Sequence, residues 1–219
     1  FVSLDISRAL CYLHSHRPAI IHGDLKPANV LVECGGARPR AKVLDFGLSR
    51  IMSSRARPLG GSLPWIAPEV VRAGNGRLRP DPAADVFSYG RVLHFTFTGS
   101  NPLARGAYRV VLRMLQSARP PSLPWPERPT ATEAACKGLA EACMAAAASS
   151  RPPISKVCEQ IEAWAADPEL ADELSLKEAR PVEPYIGEDF TRRHEFKEWA
   201  VGLRSVLAGL GKGGADAAA

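Results

Sequence analysis

The chain has 219 residues, 46% of them hydrophobic, and a formal net charge of +5, enough to bury one sizeable core or one domain with an appended piece. No apolar run approaches the roughly 18 residues of a membrane span, and the Arg and Lys residues are scattered without an interleaved aromatic stripe, which sets nucleic acid aside as a partner. Five cysteines with no C-x-x-C spacing argue against a disulfide framework and for a reducing intracellular setting, taken as cytoplasmic.

Ile6, Ala9, Leu10 and Leu13 recur at helical spacing, which predicts an amphipathic helix over residues 4 to 16 that ends near Arg17 and Pro18. Because the chain opens on Phe1 with this pattern under way, it is read as an internal segment of a longer protein. Short β-rich pieces follow at Ala19 to Ile21, Val30 to Val32 and Lys42 to Leu44, parted by turns such as Cys34 to Pro39, and their brevity predicts hairpins rather than a large sheet. From Ala83 onward, Val86, Phe87, Gly90, Leu93, His94 and Phe97 give a nearly continuous apolar pattern, the mark of a mostly buried helix. Further helices are predicted at Arg105 to Ala118, Thr132 to Ala148 and Ile154 to Ala165, joined by proline-rich loops such as Arg119 to Pro129. The expected fold is therefore mainly α, of α+β class. Residues 166–188 read as a charged, proline-containing linker. Within 189–219, Phe196, Trp199, Leu203, Val206, Leu207 and Leu210 form a helical stripe before a Gly/Ala-rich tail; this 196–210 helix is a candidate docking element for a partner, although most such stripes pack on their own domain.

Phosphoryl transfer asks a protein to position a hydroxyl, hold metal ions and neutralise spreading charge. His22-Gly23-Asp24-Leu25-Lys26-Pro27-Ala28-Asn29 offers a carboxylate, an ammonium and an amide within six positions, on a turn between two short strands. Sixteen positions beyond Asn29 stands Asp45-Phe46-Gly47, an acid after an apolar strand, followed by a glycine that permits a sharp turn. Asp45 and Asn29 are placed to share a Mg2+ ion. Alone, Asp-Phe-Gly is a weak signal that usually marks an ordinary strand-end turn; the partner loop at this distance strengthens it.

With Ala67-Pro68-Glu69 following, the order of motifs resembles the H-R-D-L-x-x-x-N, D-F-G and A-P-E signatures of eukaryotic protein kinases. Gly61-Ser62-Leu63-Pro64-Trp65 looks like that family's substrate-facing loop, Asp85-Val86-Phe87-Ser88-Tyr89-Gly90 like the start of its central buried helix, and Arg151-Pro152-Pro153 like its late arginine. The resemblance covers residues 1 to 165 and implies a kinase large lobe, with short β-hairpins carrying the catalytic and metal loops. It implies ATP and Mg2+ as cofactors and a protein substrate, with Asp24 accepting the hydroxyl proton, Lys26 neutralising the transferred phosphate, and Asn29 and Asp45 ligating magnesium. It also implies a hydrogen bond from Ser62 near Asp24, a buried Glu69–Arg151 ion pair, and Asp85 bracing the catalytic loop. Lys26 in Asp-Leu-Lys-Pro is similar to serine/threonine kinases, and the Gly-Ser-Leu-Pro-Trp and Asp-Val-Phe-Ser-Tyr-Gly details to their tyrosine-kinase-like, Raf-related branch.

Gly23 departs from the pattern: it stands where the family's arginine usually pairs with a phosphorylated activation segment, so that switch is not expected here. Ser53, Ser54 and Ser62, with Arg50, Arg55 and Arg57, lie in the corresponding segment, where an unmodified, solvated loop is the plainer reading. The chain also lacks the glycine-rich loop, the strand lysine and its glutamate partner of a small lobe, so this piece alone is expected to be inactive. Two other functions remain. One is a pseudokinase or scaffold, against which the complete set Asp24, Lys26, Asn29 and Asp45 weighs. The other is a small-molecule phosphotransferase of the aminoglycoside or choline kinase type, against which Ala67-Pro68-Glu69 and the Asp85 to Gly90 stretch weigh. His22 beside Asp24 reads as a packed imidazole rather than a base.

Overall fold

The apolar stripe that opens the sequence forms helix α1, Val2–Ser15, with Leu4, Ile6, Leu10 and Leu13 buried. Asp5 sits in its first turn, where a carboxylate suits the positive end of the helix dipole. The same carboxylate accepts the Ala41 N–H at 3.0 Å and faces Arg38 at 3.4 Å, which ties α1 to the strands that follow. The computed structural model describes residues 1–34, 38–46, 49–51, 63–73, 81–100, 117, 123–127 and 129–167. Outside them lie the expected 196–210 helix, the linker beyond 167, nearly all of the 105–118 helix, Gly47, Ser53, Ser54, Ser62, Arg55 and Arg57.

The strands are as short as expected. Strand β1 is Ile20–Ile21, β2 Val30–Glu33, β3 Arg40–Val43 and β4 Arg50–Ile51, and a 3-10 turn at Pro27–Asn29 leads into β2. Strands β2 and β3 form an antiparallel hairpin, with Val30 opposite Val43 and Glu33 opposite Arg40. Two expectations change. Leu44 lies beyond β3, although its N–H still donates to Asn29 O at 2.8 Å. Strand β1 is no hairpin strand, because it pairs antiparallel with the distant β4, Ile20 opposite Ile51. That pairing returns the chain beneath the 22–29 loop, where the Ser49 hydroxyl donates to His22 O at 3.2 Å.

Four further helices complete the described body: α2 Pro68–Ala73, α3 Pro82–Thr98, α4 Ala131–Cys143 and α5 Ile154–Ala166. The ends of α3 follow from its sequence. Asp81 caps the start, accepting the Ala83 N–H at 2.8 Å, Pro82 sits where its missing N–H is harmless, and Gly99 at φ 65° closes the end. Helix α4 opens with a capping box of Thr130 and Glu133. It stops at Cys143, short of the expected Ala148, because the chain turns there and the Ala145 carbonyl accepts from Arg151 Nε at 2.9 Å.

The core is built around α3. Val86, Phe87, Tyr89, Val92 and Leu93 are buried, and the Tyr89 hydroxyl donates to Ser3 O of α1 at 2.9 Å. Helix α4 packs on α3, and α5 on α1. Trp164 is partly buried against this core, and Cys136, Cys143 and Cys158 are buried in it. Gly90 permits the closest approach: a Cβ there would sit 2.8 Å from Cys143 Cβ and 2.9 Å from both Ala140 O and Met144 Cγ. Alanine improves helix propensity by about 1 kcal/mol, but overpacking against a backbone oxygen costs about 1 to 3 kcal/mol. Gly90→Ala is therefore expected to lower Tm by several degrees in a thermal melt; an unchanged or raised Tm would mean that α3 and α4 separate freely.

Candidate functional site

The 22–29 loop hangs from one buried carboxylate. Asp85, in the first turn of α3 and 1% exposed, accepts the His22 N–H on Oδ2 at 2.8 Å and the Gly23 N–H on Oδ1 at 2.9 Å. His14 Nε2 of α1 reaches the same Oδ2 at 2.9 Å. Burial alone pushes the Asp85 carboxyl up, and His14, His22 and the Gly23 N–H outweigh it and hold the group below the ordinary carboxylate range. Gly23 adopts φ 81°, a left-handed conformation that glycine enters without penalty. Asp85 thus braces the loop as expected. The sequence carries no local sign of the His14 contribution, because only the fold brings α1 to Asp85.

His22 is wholly buried and structural. Its Nδ1 accepts the Asp24 N–H at 3.2 Å, so Nε2 carries the proton and donates to Leu44 O at 3.0 Å. Its ring meets Phe46 edge-on, centroids 5.3 Å apart. One imidazole thereby joins the two loops that carry the candidate acids.

Asp24, Lys26 and Asn29 converge. Lys26 Nζ lies 2.8 Å from Asp24 Oδ2, and Asn29 Nδ2 donates to Asp24 O at 2.8 Å and to Asp24 Oδ2 at 3.3 Å. Asp24 and Asn29 are 8% and 7% exposed. With its NH2 turned to Asp24, Asn29 presents Oδ1 as a further acceptor. The Leu44 N–H bond to Asn29 O extends the β2–β3 ladder, so Asp45 follows directly on the strand paired beside Asn29. Asp45 is exposed and takes φ 60°, a conformation that is uncommon outside glycine and concentrates where function fixes the backbone. Oxygens of one amide and one carboxylate match what Mg2+ takes from protein when phosphates supply the rest.

Around this centre the architecture is ionic. Arg151 Nη1 and Nη2 donate to the two oxygens of Glu69 at 2.6 and 2.7 Å, and Nη1 also donates to Ala83 O at 2.8 Å. The Arg151 side chain is 0% exposed and that of Glu69 14%, so the expected ion pair forms across 82 positions of sequence. Ser88 and Arg91 of α3 contact the 63–65 turn, the Ser88 hydroxyl donating to Trp65 O at 2.8 Å and Arg91 Nη1 to Pro64 O. The sequence flagged α3 as apolar and gave no role to Arg91.

Residues 1–161 match the protein kinase domain family. The chain is similar to the probable serine/threonine-protein kinase drkD of Dictyostelium discoideum, 33% identical over 189 residues that cover 85% of this chain and 14% of that protein. It is similar also to the serine/threonine-protein kinase STY17 of Arabidopsis thaliana, 32% identical over 164 residues, 73% of this chain and 26% of that protein. Mitogen-activated protein kinase kinase kinase 7 of Bos taurus is 31% identical over 158 residues, 70% of this chain and 25% of that protein. The chain spans about a quarter or less of the length of these relatives.

Proposed function

The chain belongs to the protein kinase domain family, and on that premise we propose that residues 1–165 are the large lobe of a serine/threonine kinase that transfers the γ-phosphate of ATP to protein hydroxyls. Residues 166–188 would be a linker and 189–219 an amphipathic helix with its tail. The branch is the tyrosine-kinase-like, Raf-related one, a placement that rests on the 61–65 and 85–90 stretches. All five cysteines are free thiols, which supports an intracellular location.

The observation that carries the reading is the convergence of Asp24, Lys26 and Asn29 beside the strained Asp45. Asp24 Oδ2, steadied by Lys26 and Asn29, orients the acceptor hydroxyl and takes its proton. Lys26, 2.8 Å from that oxygen, supplies a cation for the oxygens of the group in transfer. Asn29 Oδ1 and the Asp45 carboxylate are the groups that would hold Mg2+, which would supply positive charge to offset that of the phosphates.

Metal dependence tests the assignment. In the protein extended through its small lobe, Asp45→Asn is expected to weaken Mg2+-dependent binding of a fluorescent ATP analogue by at least about tenfold, the loss of one charged contact. An unchanged Mg2+ dependence would remove Asp45 from the site. Aminoglycosides and choline should go unphosphorylated under conditions that label protein; their labelling would favour the small-molecule phosphotransferase reading.

A further inference from the structure

Helix α3 buries a guanidinium where its packing would be served by an apolar side chain. Arg91 is 1% exposed, and among the described residues no carboxylate faces it. Among the described residues it meets the Pro64 carbonyl, to which Nη1 donates, and the Phe87 ring, 4.9 Å from Cζ, and its Nε has no hydrogen-bond partner there. Burial lowers its pKa to about 10, so the group stays charged at neutral pH. A buried charge without a counter-ion works against folding, and replacement by a hydrophobic residue of similar volume is often neutral or stabilising.

The neighbours of Arg91 on the same helix face show what the charge is set against. Ser88, one turn earlier, holds Trp65 O, the next carbonyl of the same turn. His94, also wholly buried, holds Pro124 O at 2.8 Å, and its ring meets Trp125 edge-on. Trp65 in turn meets Phe95 edge-on at 6.0 Å. Three polar side chains at three-residue intervals thus each capture a carbonyl of a segment laid over α3, and two of those carbonyls are consecutive in the turn just before Ala67-Pro68-Glu69.

We propose that Arg91, together with Ser88, is a positioning residue that fixes the Leu63–Trp65 turn against which the protein substrate binds, at the expense of fold stability. This rests on the kinase reading, which makes that turn substrate-facing. The grip itself is a property of the chain and can be tested without catalysis.

The test pairs hydrogen exchange on the 219-residue chain with kinetics on the protein extended through its small lobe, using Arg91→Met, Arg91→Lys and Ser88→Ala. Arg91→Met should keep or raise Tm. Its Trp65, Ile66 and Ala67 amides should exchange on the order of tenfold faster, as expected for losing one hydrogen bond from a charged donor, while α1 and α5 amides stay as they are. Peptide KM should rise by a similar factor with ATP KM unchanged. Arg91→Lys, which keeps the charge without the planar fork, should recover part of both effects, and Ser88→Ala should loosen the same amides. A fall in Tm with faster exchange throughout α3 and α4 would make Arg91 a plain core residue and overturn the proposal. Local loosening with unchanged peptide KM would overturn the substrate role. If the wild-type extended protein transfers no phosphate, the kinase reading falls and the substrate role with it, while the exchange data still decide whether Arg91 grips the turn.

Discussion

Replacing Asp24 by asparagine in the protein extended through its small lobe is expected to lower kcat by about 10²- to 10⁴-fold, the range that a positioned acid or base commands. The substitution is nearly isosteric, and Asp24 is held by its surroundings: its N–H is bound to His22 Nδ1 and its carbonyl to Asn29 Nδ2. The loop should therefore keep its shape. What goes is the negative charge that Lys26 and Asn29 steady, and with it the acceptor for the hydroxyl proton. KM for ATP should change much less than kcat, since the groups proposed to hold metal and phosphate remain. Steady-state kinetics read both; a variant with the wild-type kcat would remove Asp24 from the chemistry.

The largest stability effect falls on Arg151. Arg151→Ala strands Glu69, whose two oxygens each lose a charged donor, and takes a donor from the carbonyls of Ala83 and Ala145. Removing one partner of such a pair costs about 3 to 5 kcal/mol, because the other charge stays buried and uncompensated. Tm should fall by on the order of 10 °C in a chain of this size. Arg151→Lys keeps the charge but not the two-pronged geometry and should still lose stability. The double variant Glu69→Leu, Arg151→Leu should be more stable than Arg151→Ala, since it leaves no orphaned charge. Equal stability of wild type and Arg151→Ala in a denaturant titration would show the pair to be idle.

Those two residues also mark how the sequence could be read. Periodicity alone does not join Glu69 to Arg151; only the order of motifs does, through resemblance to a family. Likewise Asp24, Lys26 and Asn29 stood close enough in sequence to suggest a shared target, and the 3-10 turn at Pro27–Asn29 is what folds them together. Helix α3 was legible from its nearly continuous apolar pattern, and α1 from its stripe. Strands β1 and β4 have two residues each, too few for an alternating pattern to register, so their pairing is visible only in the fold. His14 and Arg91 are illegible in the sequence for a different reason. A polar side chain on an apolar helix carries no local sign of its partner, and the partners here, Asp85 and the Pro64 carbonyl, lie 71 and 27 positions away. Asp45 was found by motif, whereas its left-handed backbone could be seen only in the fold.

The most direct measurement is phosphate transfer itself: the protein extended through its small lobe, γ-labelled ATP, Mg2+ and a basic protein acceptor, followed by identification of the labelled residue. Label on serine and threonine that disappears when Mg2+ is chelated is the predicted result. A folded wild-type protein that leaves every acceptor unlabelled would contradict the phosphotransfer reading and make this lobe a binding module.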